Sequence, residues 1–340
     1  MSLIAELRQR ISPDVKENEP MAPHTTFKVG GPSEYFLAAK TADEVTRAAA
    51  AARDLKLPFF VFGGGSNMLV SDAGVKGLVV MMANRDFRIE RGTDGDATII
   101  AGAGAPTGLI SMRAAEAGLT GFEWAVGVPG TIGGAVRGNA GAYGGDMAAC
   151  VTLVRAIHRS SAAGDAPDVS ILTNAECDFT YRHSKFKNEP GWIVLEATLK
   201  LAPSAAPEET KARLKKILLD RKEKQPVEFP TAGCMFTNWT PPPGTDMEAL
   251  KKALDLGGAD QIPRTPQGGI PAGWIIDRAG LKGFAVGHVR VSDKHGNFFV
   301  TDGKASADEV VQLTAAIKTK VRNMTDGVVQ LTEEVEYVGF

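Results

Sequence analysis

The chain has 340 residues, with 38 Lys+Arg against 40 Asp+Glu, a net charge of −2, and 44% hydrophobic residues. That balance excludes a disordered chain and argues against a general nucleic-acid binder, which needs a basic surface to release counterions. The length suggests about two domains, and no apolar run approaches the roughly 18 residues of a membrane span.

Taken in chain order, residues 1–11 (MSLIAELRQRI) read as a short amphipathic helix, with charges from the start and no signal-peptide core. Residues 41–57 predict an Ala-rich helix with Thr41 as cap and Glu44 three residues on. Residues 59–62 then form a short buried strand running into Gly63, Gly64, Gly65, Ser66 and Asn67. Residues 77–82 and 97–101 read as further strands. In residues 193–200, Ile193, Leu195, Ala197 and Leu199 face one way, and Val194, Glu196, Thr198 and Lys200 the other. That is a half-buried strand. Residues 202–207 (APSAAP) read as a linker, 208–224 as a basic amphipathic helix with a solvated charged face, and 240–245 as a loop. Helices follow at 247–256 and 306–324, and a strand at 328–338. Alternation of strands, glycine turns and helices marks an α+β or α/β chain.

Glycine is the outlier in composition. There are 38, nine of them between Gly121 and Gly145, against a usual share of about 7%. Glycine runs serve tight turns, or bring backbone N–H groups close to a ligand. Walker spacing is absent, and Gly102, Gly104 and Gly108 depart from a dinucleotide fingerprint by one residue. Residues 127–145 are too glycine-rich for a helix but contain Ile132, Val136 and Tyr143, so they are ordered backbone wrapping something rather than a linker. The three cysteines, Cys150, Cys177 and Cys234, are odd in number and lack CxxC spacing. That fits a reducing compartment and excludes a disulfide framework or zinc knuckle.

These motifs together resemble a family. TFKVGG at 26–31, GGGSN at 63–67 and VPGTIGG at 128–134 are similar to the flavin-binding half of UDP-N-acetylenolpyruvoylglucosamine reductases. YRHSKFK at 181–187, AGCMF at 232–236 and AGWIIDRAGLKG at 272–283 match the rest. The resemblance covers nearly the whole chain in order. It implies an α+β chain with an FAD-binding fold of the vanillyl-alcohol-oxidase (PCMH) type in two subdomains, plus a smaller α+β substrate-binding domain. The implied divisions are 1–84 (joined by the strand 327–340), 85–205 and 206–326. It also implies noncovalent FAD, NADPH as reductant and UDP-N-acetylglucosamine enolpyruvate as substrate. A bacterial cytoplasmic setting in peptidoglycan synthesis follows, with no metal, no nucleic acid, no membrane and no obligate protein partner.

By that resemblance the flavin lies against Gly63, Gly64, Gly65, Ser66 and Asn67, against Val128, Pro129, Gly130, Thr131, Ile132, Gly133 and Gly134, and near Asn139, Gly141 and Tyr143. Arg182 is the implied cation at the substrate carboxylate, because a planar guanidinium can donate two parallel hydrogen bonds to a carboxylate gaining charge. The implied acid is Glu334, before a valine in the last strand. Period two instead puts Glu333 on the apolar face with Val329, Leu331 and Val335, and Glu336 on the other face with Glu334. The implied proton donor is Cys234, where many family members carry serine; a thiol also donates a proton, with a reference pKa of about 8.5. Tyr181, Lys282 and Asn297 are expected to line the substrate site. The HGNF sequence at 295–298 is near the family's HANF. The strand at 192–201 is followed by a short linker, which implies the family's shorter form without an inserted capping loop. Residues 239–263 run longer than the family's spacing and are expected on the surface of the substrate domain. Two other classes remain open: an FAD-dependent alcohol oxidase or dehydrogenase of the same fold, and a non-catalytic nucleotide-sugar binding protein.

Overall fold

The structure is a computed structural model, describing residues 2–92, 96–159, 168–255 and 261–340. Two compact units emerge. The first comprises Met1–Glu19, Ser33–Gly64 and Lys76–Arg221; the second comprises Pro20–Pro32, Gly65–Val75 and Lys222–Phe340.

In the first unit, the helix Ala42–Asp54 is nucleated by a full capping box: Thr41 accepts from Glu44 N–H and the Glu44 side chain returns to the Thr41 backbone. The reciprocal bonds satisfy orphan donors of the first turn. Its buried face, Val45, Ala48, Ala49, Ala51 and Ala52, is mostly alanine. It joins a core with Leu37, Leu78, Val80 and Ile99. A four-stranded sheet runs in the order Lys16–Pro20, Pro32–Ala39, Val75–Met82, Phe59–Phe62. Phe59–Phe62 lies parallel to Val75–Met82, with Phe59 opposite Leu78. Phe62 therefore ends a supported strand and hands the chain to Gly63.

A second sheet runs in the order Val169–Thr173, Val151–His158, Trp192–Pro203, Ala97–Gly102, Phe87–Arg91. Each adjacent pair is antiparallel. Trp192–Pro203 is central, and Val194 is buried along with the expected Ile193, Leu195, Ala197 and Leu199. The strand extends past its expected end because Ala202 and Pro203 pair with Thr120 and Leu119. The expected linker is thus reduced to the residues between Pro203 and the helix Pro207–Lys224.

The second unit has its own core of Phe27, Leu69, Met235, Phe236, Ile275 and Phe299, among others. The helix Ala307–Met324 begins with a capping box of Ser306 and Glu309. The helix Met247–Ala253 is shorter than the expected 247–256, whose last residue, Leu256, lies outside the described residues. The expected strand 328–338 is laddered only over Glu336–Val338, parallel to Met68–Val70. The alternating burial of Val329, Leu331 and Val335 persists upstream, but the backbone there makes only a single bridge, Phe236 to Glu333. A period-two pattern reports burial on alternate sides, and that does not require a continuous ladder.

The two compact units are each built from several stretches of chain. Leu37 and Ala48 share one core with Ile99 and Leu195. Residues 20–32 and 65–75 join the C-terminal part through bonds such as Thr26 Oγ1 to Thr231 O at 2.7 Å and the Met68–Val70 strand pairing. Among the described residues, no helix is long and apolar enough to cross a membrane.

Candidate functional site

In the first unit, two glycine segments meet backbone to backbone. A Cβ placed on Gly63 would collide with Thr131 Oγ1, and one on Gly64 would lie 2.8 Å from Gly130 Cα. Real Cβ atoms do not come that close, so both positions require glycine. A bridge between Pro106 and Thr131 locks the second segment: Thr107 N–H donates to Gly130 O at 3.2 Å and Ile132 N–H to Ala105 O at 2.9 Å. The helix Ile132–Arg137 follows, with no side-chain cap from Thr131.

This cradle has polar groups to spare. Thr131 and Thr107 hydroxyls are buried and have no hydrogen-bond partner among the described residues. The N–H groups of Gly63 and Gly64 donate no hydrogen bond within the described chain. Buried hydroxyls without partners are rare in native proteins and call for an explanation. Closely apposed backbone, spare hydroxyls and N–H donors suit a ligand rich in phosphate and ribose oxygens, such as FAD. Val128, Pro129 and Gly134 flank the cradle at its partly or fully exposed rim, while Gly133 packs inside against Ala103.

Further along, Gly141–Ala142 and Gly145–Asp146 form a small antiparallel pair. Tyr143, at the corner, donates its hydroxyl to Asp220 Oδ2 at 2.7 Å. Burial first, and then Asp220, push its pKa up to about 12.

Arg182 stands in a tight turn. Thr180 N–H donates to His183 O at 3.0 Å and His183 N–H to Thr180 O at 3.1 Å. Arg182 takes φ 61°, a left-handed conformation unusual for a side-chain-bearing residue. Its guanidinium lies 5.0 Å from the Tyr181 ring centroid and donates to Gly141 O at 3.4 Å. Tyr181 is 40% exposed. Asn139, expected beside the flavin, has both ends of its side chain engaged by protein: Nδ2 donates to Thr180 O and Oδ1 accepts from Ala148 N–H, each at 3.0 Å.

In the second unit, Gly65, Ser66 and Asn67 lead into the strand Met68–Val70. Asn67 Nδ2 donates to Glu334 O, and Glu336 N–H donates to Asn67 O, both at 3.1 Å. The Cys234 segment is held by backbone pairing on two sides. Cys234 bridges Phe298. Glu334 N–H donates to Met235 O at 2.8 Å, and Thr237 N–H to Thr332 O at 2.9 Å. Cys234 and Glu334 therefore belong to directly paired stretches.

Glu333 has an ion-pair partner. Its Oε1 lies 2.7 Å from Lys318 Nζ on the helix Ala307–Met324. A lysine 15 residues away in sequence thus accompanies the carboxylate on the apolar face, and no local sequence signal announces that pairing.

Asn297 is 3% exposed, and its amide clamps Phe236 at both backbone groups, at 2.9 and 2.7 Å. Those bonds hold the backbone two residues from Cys234. Lys282 makes an ion pair with Asp277 at 2.8 Å. His295 Nδ1 accepts from Asn297 N–H at 3.1 Å, and burial pulls its pKa down. Cys150 and Cys177 are buried and reduced, and burial pushes both thiols up to about 11. Sequence reasoning passed over Ser184, which is fully buried and donates to Arg137 O at 2.7 Å; a serine amid a basic motif carries no visible signal of that anchor. Among the described residues, no group of three or more His, Cys, Asp or Glu is placed to hold a metal ion.

Comparison with known proteins gives this geometry a context. An FAD binding domain model matches residues 33–161. The C-terminal domain model of UDP-N-acetylenolpyruvoylglucosamine reductase matches residues 225–338. The chain is 37% identical over 322 residues to the UDP-N-acetylenolpyruvoylglucosamine reductase of Caldanaerobacter subterraneus subsp. tengcongensis, covering 95% of this chain and 93% of that protein. It is 33% identical to the one from Bacillus velezensis, covering 99% and 98%. The crystal structure of the Thermus caldophilus UDP-N-acetylenolpyruvylglucosamine reductase matches with a TM-score of 0.70 at 30% identity, covering 95% of this chain and 98% of that one. A VAO-type flavoprotein from Myceliophthora thermophila matches with a TM-score of 0.55 at 12% identity over 98% of this chain and 87% of that one, which shows the expected α+β flavoprotein fold. The chain belongs to the UDP-N-acetylenolpyruvoylglucosamine reductase family.

Proposed function

We propose that the chain reduces UDP-N-acetylglucosamine enolpyruvate to UDP-N-acetylmuramate, an FAD-dependent step of peptidoglycan synthesis in the bacterial cytoplasm with NADPH as reductant. Gly63, Gly64, Gly130 and Thr131 form the part of the first unit that would hold FAD, and Gly65, Ser66 and Asn67 are kept among the flavin residues by the family motif. When bound, FAD supplies a hydride, drawn from NADPH, to the terminal carbon of the enol ether.

The remaining chemistry belongs to side chains of the protein. Arg182 binds the substrate carboxylate, and its planar fork strengthens its hold as charge flows onto those oxygens. Glu334 hydrogen-bonds the enol form and spreads that charge. Cys234 Sγ–H then protonates the carbon that bears the ether oxygen, completing the addition of two hydrogens across the double bond. The thiolate left behind regains its proton from water, to which the partly exposed Cys234 has access.

The observation that carries the reading is the backbone bond from Glu334 N–H to Met235 O, beside Cys234. It keeps a thiol and a carboxyl on neighbouring paired stretches of the second unit. The test is NADPH oxidation by the purified yellow protein, dependent on UDP-N-acetylglucosamine enolpyruvate, with a product heavier by two hydrogens. Flavin reduction without any response to that substrate would favour an oxidase or dehydrogenase acting on an alcohol. A colourless protein that binds the nucleotide sugar would favour a binding role.

A further inference from the structure

The left-handed Arg182 turn has more supports than a surface loop needs. Residues held at positive φ cost of the order of 1–3 kcal/mol and persist only where their surroundings over-determine them. Here the supports come from one short stretch. On the near side, Asn139 Nδ2 donates to the carbonyl of Thr180, which opens the turn. On the far side, Ser184 Oγ donates to Arg137 O. Between them, Arg182 itself reaches Gly141 O, and Lys187 Nζ donates to Arg182 O at 3.2 Å. Asn139 is 5% exposed. Its carboxamide faces one acceptor and one donor, so only one of its two flips satisfies both.

We infer that Asn139 is a positioning residue for Arg182: its side chain straps the turn to the glycine segment and aims the guanidinium at the substrate carboxylate. This rests on the reading of Arg182 given above. With both ends of its amide engaged at 3.0 Å within the protein, Asn139 acts through the turn and not as a side-chain ligand of the flavin.

The discriminating variant is Asn139→Asp. It keeps an acceptor for Ala148 N–H but replaces the donor to Thr180 O with a second acceptor, which pushes the turn away at nearly unchanged volume. Asn139→Ala is the companion that removes both bonds. The holoenzyme is reduced with dithionite under anaerobic conditions and mixed with UDP-N-acetylglucosamine enolpyruvate. The return of oxidised flavin absorbance is then followed.

The expected result is wild-type FAD content and visible spectrum, with reoxidation slowed on the order of 10²-fold, the effect of misplacing a catalytic group by about 1 Å. In an Arg182→Ala background the same change should add less than about threefold, because residues acting as one unit are non-additive. Wild-type reoxidation in Asn139→Asp, or a full additional factor on top of Arg182→Ala, overturns the inference. So does FAD loss or a shifted flavin spectrum in both variants, which would make Asn139 a flavin ligand. Wild-type reoxidation in Arg182→Ala alone is a separate failure: it removes Arg182 from the chemistry, whatever holds the turn.

Discussion

The Arg182 turn and the Cys234–Glu334 pair are secured by different means. Arg182 depends on side chains that bond to backbone, namely Asn139 and Ser184. Cys234 and Glu334 rest first on backbone bonded to backbone, through Phe298, Met235 and Thr332, with the side-chain amides of Asn297 and Asn67 added at Phe236 and Glu334. Substitution cannot easily remove a backbone bond, but it can delete a side-chain strap. The cation should therefore be displaced by changes at residues that never touch substrate. The proton donor, held by backbone pairs as well, should answer chiefly to changes in its own chemistry.

Replacing the donor itself is the sharpest break. Cys234→Ala should lower product formation by about 10²–10⁴, the usual contribution of a general acid, with an unchanged thermal midpoint because the flanking backbone pairs remain. Cys234→Ser should keep substantial activity, since a hydroxyl can also give a proton. Turnover of the thiol enzyme should fall at alkaline pH as the thiol ionises, and more steeply than that of the serine variant. Superimposable pH profiles would remove Cys234 from the proton-transfer step.

Next in size is Arg182→Ala, expected to slow flavin reoxidation by about 10²–10³, as for the loss of one preorganised charge-stabilising donor. Arg182→Lys should recover only part of this, because an ammonium is a point charge without a bidentate fork. Full recovery by lysine would show that charge alone matters, and the care taken over the turn's geometry would lose its purpose.

Ser184→Ala probes the strap on the far side. It deletes a part-buried hydrogen bond to the Arg137 carbonyl, and the loss of one such bond costs about 0.5–1.5 kcal/mol. Chemical denaturation should report that loss, and reoxidation should slow with it. A destabilised variant of normal rate would assign the whole strap to the near side.

The smallest effect concerns thiols outside the site. Cys150 and Cys177 hold their protons up to about 11, with burial as the main cause. A thiol reagent at pH 8 should label one cysteine in the native protein and three after denaturation. The sign for stability follows from linkage: the folded state binds these protons more tightly than the unfolded one. The contribution is therefore complete below the ordinary thiol value of 9.0 and lost as pH rises toward 11. The unfolding midpoint should fall across that window. Rapid labelling of all three native thiols would contradict the burial.

Local features were legible because their causes lie within a few residues. Thr41 with Glu44 announced a capping box, and the apolar alternation of residues 193–200 announced a strand; both stand in the structure. Long-range features were not. Asn139 looked like part of a ligand-binding glycine run, because its partner Thr180 is 41 residues away. Asn297 gave no sign in the sequence that its amide brackets Phe236, 61 residues earlier. Glu333 and Glu334 were ambiguous because period two reports a face without saying which charge on it has a counter-ion. Lys318 supplies that information only through the packing of a helix.

The parallel pairing of Glu336–Val338 with Met68–Val70 has a consequence for how the chain folds. Asn67 and the carbonyl of Glu334 that it binds are 267 residues apart. The second unit gathers three separate stretches, so its core cannot close until its last strand has been synthesised. Non-local closure of this kind slows folding, because the entropy of a large loop is lost before the contacts that repay it can form. During synthesis, Phe27 and Leu69 must wait with their apolar surfaces uncovered while the first unit has already acquired its own core. The second unit is therefore expected to complete its core later than the first, in a slower folding phase.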